Sequence, residues 1–412
     1  MVMAIQLLHI SDIHLGSGEG HGRLNPETGL NRRFEDFAQA FSKAIDYALK
    51  NSIDIFLFSG DAYKHANPEP QYQKVFAQEL KRLSQAKIPT ILLVGNHDQV
   101  LKATKSHAMS VFQSLEIPHV TIIDRPQFQT IDTKSGALQL IGLPYITKHQ
   151  LASIDKYKGL LPGELSELLQ DHLKQILQDY YQRLDNTIPS VLTAHLTLDR
   201  AVTGVEQELL LGYTQTFATE LFIDQALDYV ALGHVHKHQI IRPANPAIVY
   251  AGSLERIDFG EANEDKGFVH VTLERQSATY KFISINPRPF ITLDLDLSTK
   301  YISSTSDIFT NEQLLSVPKG AIVRIRCKLR QEQLPLVSED AIAKLLPDCL
   351  SMRVTNELTD IAQRTRMPEI NHTDGQHPLK ALENYLEQIA PKRKEQLLDK
   401  AKILVDHLQT DN

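Results

Sequence analysis

Ile91-Leu92-Leu93-Val94-Gly95-Asn96-His97-Asp98 is an apolar run that stops abruptly at an amide, an imidazole and a carboxylate. It reads as a buried strand delivering polar groups at its end. Four further apolar runs finish in the same way: residues 5–10 before Ser11-Asp12-Ile13-His14, 53–58 before Gly60-Asp61, 191–194 before His195, and 229–232 before Gly233-His234-Val235-His236. Strands buried on both faces are continuous hydrophobic runs, and in open α/β sheets ligands gather beyond the carboxyl ends of the strands. All five polar clusters are therefore expected at one edge.

Around these runs the first half of the chain alternates strands with helices. Residues 34–49 carry Phe37, Ala38, Phe41, Ala44, Ile45 and Ala48 at helical spacing, and residues 72–83 carry Val75, Phe76, Leu80 and Leu83 likewise. Gly16-Ser17-Gly18-Glu19-Gly20-His21-Gly22 fits neither the dinucleotide fingerprint nor the P-loop spacing and reads as a flexible rim to a site. Strands recur at 119–123 and 138–143, and a longer helix is predicted over 164–184 with a leucine-rich core stripe. After His236 the segments shorten to β runs at 239–242, 248–252, 268–273 and 280–285. Asn286-Pro287-Arg288-Pro289 then marks a boundary, because two prolines in four residues favour extended backbone. A small α+β unit follows, with strands at 290–297, 321–330 and 350–355 and a helix at 338–346. Asn371-His372-Thr373-Asp374-Gly375 reads as linker before two short amphipathic helices.

At 412 residues the chain exceeds what one core usually holds, so two domains, or one with large appendages, are expected. No apolar run approaches membrane-spanning length, and the first residues run into a strand pattern without a signal-peptide layout. A cytoplasmic protein with no membrane association is the expectation. Cys327 and Cys349 are too few for a disulfide framework or a thiolate metal site and read as small buried groups. A net charge of −7 offers nucleic acid no global attraction, so such binding would need local patches or bound metal.

Taken together, the clusters offer carboxylate oxygen, amide oxygen and imidazole nitrogen. That set suits Mn²⁺, Fe²⁺ or Zn²⁺ and is too rich in nitrogen for a pure Mg²⁺ or Ca²⁺ cage. A lone His-x-His or Gly-Asp would mean little; five clusters, each behind an apolar strand, supply donors for two ions. A carboxylate can bridge two ions about 3.5 to 4 Å apart, and Asp61 is the natural bridge.

Asp12-Ile13-His14, Gly60-Asp61, Gly95-Asn96-His97-Asp98, His195 and Gly233-His234-Val235-His236 resemble the full motif set of the calcineurin-like metallophosphoesterases. Within them the chain most resembles the SbcD family of nuclease subunits, through Gly60-Asp61-Ala62-Tyr63-Lys64, Ala251-Gly252-Ser253-Leu254-Glu255-Arg256-Ile257-Asp258-Phe259-Gly260 and Lys266-Gly267-Phe268. The resemblance implies a four-layer α/β/β/α sandwich over residues 1–285, a small α+β capping domain over 286–366, and a linker with partner-binding helices over 367–412. It implies two divalent ions, manganese being the family's usual one. Asp12, His14, Asp61 and His236 would hold one, and Asp61, Asn96, His195 and His234 the other. It further implies His97 as the group acting on the leaving 3′ oxygen, with Asp98 orienting its imidazole. The implied activity is exo- and endonucleolytic cleavage of DNA at double-strand ends and hairpins, in repair, recombination and replication. The implied partner is an SbcC-type ATPase, with the nuclease a homodimer inside a heterotetramer. Two alternatives stand beside this: a phosphoesterase acting on nucleotides or phosphoproteins, and a non-catalytic scaffold for the ATPase. At one position the chain departs from the pattern. Archaeal and eukaryotic relatives place a histidine three residues after the bridging Asp, where this chain has Lys64, with His65 beside it.

Other residues carry weaker signals. His21, His65, His149, His238 and His270 read as surface or supporting histidines, while Glu255 and Arg256 are an ordinary ion pair or a functional one. Over 321–330, Val323, Ile325, Cys327 and Leu329 alternate with Arg324, Arg326, Lys328 and Arg330. That cationic face is either the solvated side of an antiparallel sheet or a contact for DNA phosphates. Leu379, Leu382, Leu386 and Ile389, then Leu397, Ala401, Leu404 and Leu408, form a seam like a coiled coil's, which either folds back or seeks a partner.

Overall fold

Alternate side chains of a strand point to opposite faces, and in this chain both directions lead into protein. The computed structural model describes residues 4–99, 106–146, 160–204 and 215–359, positions 379, 380, 382, 383 and 386, and 394–410. In β1 (Ile5–Ile10), Leu7 enters one hydrophobic cluster while Leu8 and Ile10 enter another. In β2 (Ile55–Phe58), Ile55 and Leu57 part from Phe56 and Phe58 in the same way, and in β3 (Thr90–Leu93), Ile91 and Leu93 part from Leu92. A polar residue in such a strand needs a buried partner, as His9 of β1 has in the Tyr229 hydroxyl at 3.1 Å, so the runs are otherwise mostly apolar.

Helix α1 (Arg32–Lys50) and helix α2 (Pro70–Gln85) cover the outer face. Their Phe34, Phe37, Phe41, Phe76 and Leu80 are buried there, each worth roughly 1.5 to 3 kcal/mol in apolar transfer. Helix α1 starts where the Asn31 side chain accepts from Arg33 N–H at 2.8 Å, and α2 starts with proline in its first turn, where no amide partner is needed. With β4 (Val120–Ile123), β13 (Gly267–Glu274) and β14 (Ser277–Ser284), these strands make a sheet in the order β14-β13-β1-β2-β3-β4.

A second six-stranded sheet faces it, in the order β11-β12-β10-β7-β6-β5. Its strands are β5 (Gln127–Thr133), β6 (Gly136–Leu143), β7 (Ser190–His195), β10 (Tyr229–Gly233), β11 (Gln239–Arg242) and β12 (Ala247–Tyr250). The helix Pro162–Arg183 lays Leu165, Leu169, Leu173 and Leu177 on its outer face, against Ile141, Leu192 and Leu232. Val191, Tyr229 and Ala231 turn inward to Leu7, Leu57 and Ile91 of the first sheet. The result is the expected order of layers: helices, sheet, sheet, helix. Strand β5, absent from the sequence reading, is an antiparallel edge strand whose Gln-Phe-Gln-Thr-Ile-Asp-Thr alternation is too polar to stand out. Residues 197–198 and 216–217 add a two-strand parallel ladder, β8 and β9.

A third sheet, β15 (Phe290–Asp296), β16 (Ile322–Leu329) and β17 (Ser351–Leu358), has its own core of Leu293, Leu295, Val323, Ile325, Cys327 and Ile342. Both ladders are parallel, with β16 central, which corrects the antiparallel face considered from sequence. The helix expected at 338–346 is a single turn-and-a-half, Glu339–Ala343, with Ser338 accepting from Ala341 N–H. Cys327 is buried in this core and Cys349 half-buried, both as free thiols.

The glycine-rich loop is not a free rim. Tyr72 donates to Glu19 Oε1 at 2.7 Å, Asn31 donates to the Glu19 carbonyl at 3.1 Å, and Ser351 of the third sheet donates to the His21 carbonyl. Beyond Thr359, the linker and most of the first C-terminal helix lie outside the described residues. The helix Lys394–Thr410 covers the second seam, where Leu397 is exposed. No described helix is long and apolar enough to cross a membrane.

Candidate metal centre

Five strand ends deliver the polar residues to one place. Parallel β1, β2 and β3 end at Asp12/His14, Asp61 and Asn96/His97, while parallel β7 and β10 end side by side, His195 level with Gly233. Backbone bonds hold the turns together: Asp12 N–H to Gly60 carbonyl at 2.9 Å, and His14 N–H to Asp61 carbonyl at 3.1 Å. Asp12, His14, Asp61 and His234 all have φ between 49° and 90°, which side chains rarely adopt. Such strain costs on the order of 1 to 3 kcal/mol per residue and persists only where the surroundings enforce it, most often at functional sites. Glycine is obligatory at two neighbouring positions. A Cβ on Gly60, at φ 103°, would meet His195 Nδ1 at 2.3 Å, and one on Gly95 would meet Asp61 Oδ1 at 2.1 Å.

The expected donors converge. Asp12, His14 and His236 form one group and Asp61, His195 and His234 another, each with its ligand atoms within 4.8 Å. Asp61 Oδ2 lies 3.7 Å from His14 Nε2 and 3.1 Å from His195 Nε2, between the two groups. Asn96 Oδ1 sits 2.9 Å from both His195 Nε2 and His234 Nδ1. The ring atoms are oriented from behind. His195 Nδ1 donates to the Ser59 carbonyl at 2.7 Å, so its Nε2 is the nitrogen that faces inward.

Electrostatics follow from this crowding. Burial alone would raise the Asp61 carboxyl, but adjacent His195 overrides it and holds Asp61 far below the usual carboxylate range. His195, which burial would lower, is lifted to about 9 by Asp61. His236 is also lifted to about 9, burial being outweighed by a hydrogen bond to Glu261. Burial and the charge on His195 drive His234 down to about 3. His14 Nε2 and His236 Nε2 face each other at 3.0 Å. Two nitrogens about 2.1 Å from a shared ion and at right angles would lie about 3 Å apart. The cradle therefore fits a dinuclear metal site.

His97 is exposed, with its ring 4.9 Å from that of His14, and its Nδ1 meets the Lys64 carbonyl at 2.7 Å. That contact corrects one expectation: Asp98 does not orient His97. Its buried carboxylate instead accepts from the backbone N–H of Asp61, Ala62 and Gly95, each at 3.0 Å, and so pins the β2 and β3 turns to each other. A buried carboxylate facing unpaired amides is better satisfied by them than by an imidazole at the surface. Lys64 and His65 are exposed. His238 bonds the Tyr250 carbonyl and His270 bonds Tyr47 and Gln6, as supporting histidines, whereas His149 lies outside the described residues. Glu255 is a buried part of a network: Arg33 reaches Glu255, Asp36 and the Arg256 carbonyl, and Arg288 pairs with Asp36.

Two participants, Glu261 and Tyr145, escaped the sequence reading, and Lys266 was read only as part of the family motif. Glu261 Oε1 lies 2.8 Å from His236 Nδ1, and wholly buried Lys266 joins Glu261 Oε2 at 3.0 Å to the His236 carbonyl at 3.1 Å. Tyr145 packs edge-on to the His195 ring at 6.1 Å. Glu261 lies in an acidic turn that reads as solvated surface, so nothing local marks it.

Residues 5–238 match the calcineurin-like phosphoesterase family. The chain is 25% identical over 288 residues to the SbcD component of the SbcCD nuclease of Staphylococcus epidermidis, covering 69% of this chain and 70% of that one. Among solved structures it is similar to TT1561 of Thermus thermophilus (13% identity, TM-score 0.38, covering 68% of this chain and 99% of that one). It is also similar to a dimetal phosphatase from Danio rerio (10% identity, TM-score 0.36, 68% and 100%).

Proposed function

The chain belongs to the calcineurin-like phosphoesterase family, and we propose that within it the protein is a two-metal DNA phosphodiesterase, the nuclease component of an SbcCD-type complex. The observation that carries the reading is Asp61, whose Oδ2 lies within 3.7 Å of nitrogen donors on both sides. Asp12, His14, Asp61 and His236 hold one divalent ion, and Asp61, Asn96, His195 and His234 the other, with manganese the ion of choice. When bound, such a pair lowers the pKa of a water and neutralises charge on the phosphate, which lets a chain of net charge −7 handle a polyanion.

The chain's own groups do the rest. The Ser59 carbonyl keeps His195 Nε2 pointed inward, and the Asp98 carboxylate fixes the turn carrying Asp61. With Nδ1 tied to the Lys64 carbonyl, His97 has Nε2 for proton transfer to the leaving 3′ oxygen. Residues 286–366 cap the site, and 367–412 carry the helices that engage an SbcC-type ATPase, in a heterotetramer built on a dimer of this chain. The Staphylococcus epidermidis relative, by name a nuclease and one component of SbcCD, supports this reading.

The test is digestion of end-labelled linear and hairpin DNA with Mn²⁺, with cyclic nucleotides and phosphopeptides assayed in parallel. The expected result is Mn²⁺-dependent cleavage of DNA. Turnover of the nucleotides or phosphopeptides with DNA left intact would replace the nuclease reading, and no turnover of any of them would favour the scaffold.

A further inference from the structure

The two sides of the centre are held differently, and one hold reaches outside the sandwich. His236 is fixed by Glu261, the last residue of the short turn Phe259–Glu261. Glu261 spends its other oxygen on Lys266 and on the Ile257 N–H, at 3.0 and 2.9 Å, so it has no slack. Two residues earlier, Phe259 turns toward the third sheet. Its ring packs edge-on against Phe290 of β15 at 5.0 Å and against His21 at 5.4 Å, and the Arg324 guanidinium of β16 lies over it at 4.4 Å. Arg324 is thus a lid on an aromatic ring rather than an open cation, and such a contact is worth about 0.5 to 2 kcal/mol.

We propose that the Phe259–Glu261 turn is a positioning device: it transmits the seating of the three-stranded unit to His236 and so sets the affinity of one of the two ion positions. The inference rests on the metal-centre reading above. Glu261 is a positioning residue, since it acts through His236.

The full-length protein is titrated with Mn²⁺ by calorimetry, with folding checked by circular dichroism. Wild type binds two ions. Glu261→Ala weakens one by about 10- to 100-fold and leaves the other unchanged. Glu261→Gln, which keeps an oxygen to accept from Nδ1–H but sets its amide NH2 against the Lys266 ammonium and the Ile257 N–H, recovers part of that loss, whereas a merely structural role would not separate the two variants or the two ions. Phe259→Ala, which leaves every donor in place, weakens the same ion several-fold. Two ions bound by Glu261→Ala as tightly as by wild type would overturn the positioning role. An unaffected Phe259→Ala beside a weakened Glu261→Ala would overturn the coupling to the third sheet. Absence of Mn²⁺ on wild type would instead sink the metal-centre reading, and this inference with it.

Discussion

His195 and His236 sit at opposite ends of one cradle and are held by different means. His195 is fully buried, and a backbone carbonyl inside the sandwich orients it; His236 has an 18% exposed side chain, and a carboxylate on a surface turn orients it. Ser59 follows directly on β2 and its N–H bonds the Ile10 carbonyl at 2.8 Å, so its own carbonyl is tied to the sheet, whereas a surface turn can move. The His195 end is therefore as rigid as the sandwich core, and the His236 end is adjustable by whatever touches the turn.

Asp61 belongs to both ends, so its loss erases the comparison. Asp61→Asn should lower DNA cleavage by at least about 10³-fold, roughly 4 kcal/mol of barrier, and calorimetry should find fewer than two Mn²⁺ bound. Full occupancy with full activity would refute the bridging role. His97→Ala should cost about 10²-fold or more in turnover yet leave both ions in place, because its ring is held by the Lys64 carbonyl and the backbone N–H that bonds Asp61 Oδ1 at 2.8 Å is kept in alanine. Loss of an ion in that variant would make His97 a ligand instead.

Gly60→Ala attacks the rigid end through the backbone. Its Cβ collides with His195 Nδ1 at a φ of 103°, and a loss of about 2 kcal/mol of stability by urea denaturation is expected. An unchanged midpoint would show that this end yields after all. The smallest effect is expected from Arg326→Ala. Asp294 already neutralises that guanidinium at 2.7 Å, so the salt dependence of DNA binding should not change. A flatter slope would restore the β16 face as a DNA contact.

The apolar runs and the points where chemistry leaves them were legible in the sequence, while their division into two facing sheets was implied by the family resemblance. Strands buried on both faces are mostly apolar, so residues 5–10, 53–58 and 229–232 announce themselves even with Gln6, His9 and Asp54 among them, and the polar clusters that follow mark the strand ends. Polar edges and short-range supports carry no such signature, which is why β5 and Glu261 went unseen and the order of β15, β16 and β17 was open. Which group supports which became visible in the folded chain alone. It gave the Asp98 carboxylate to amides from two strands, gave His97 to a carbonyl 33 residues away, and brought an acidic turn under His236, because hydrogen-bond partners of buried groups are chosen by packing in space and not by distance along the chain.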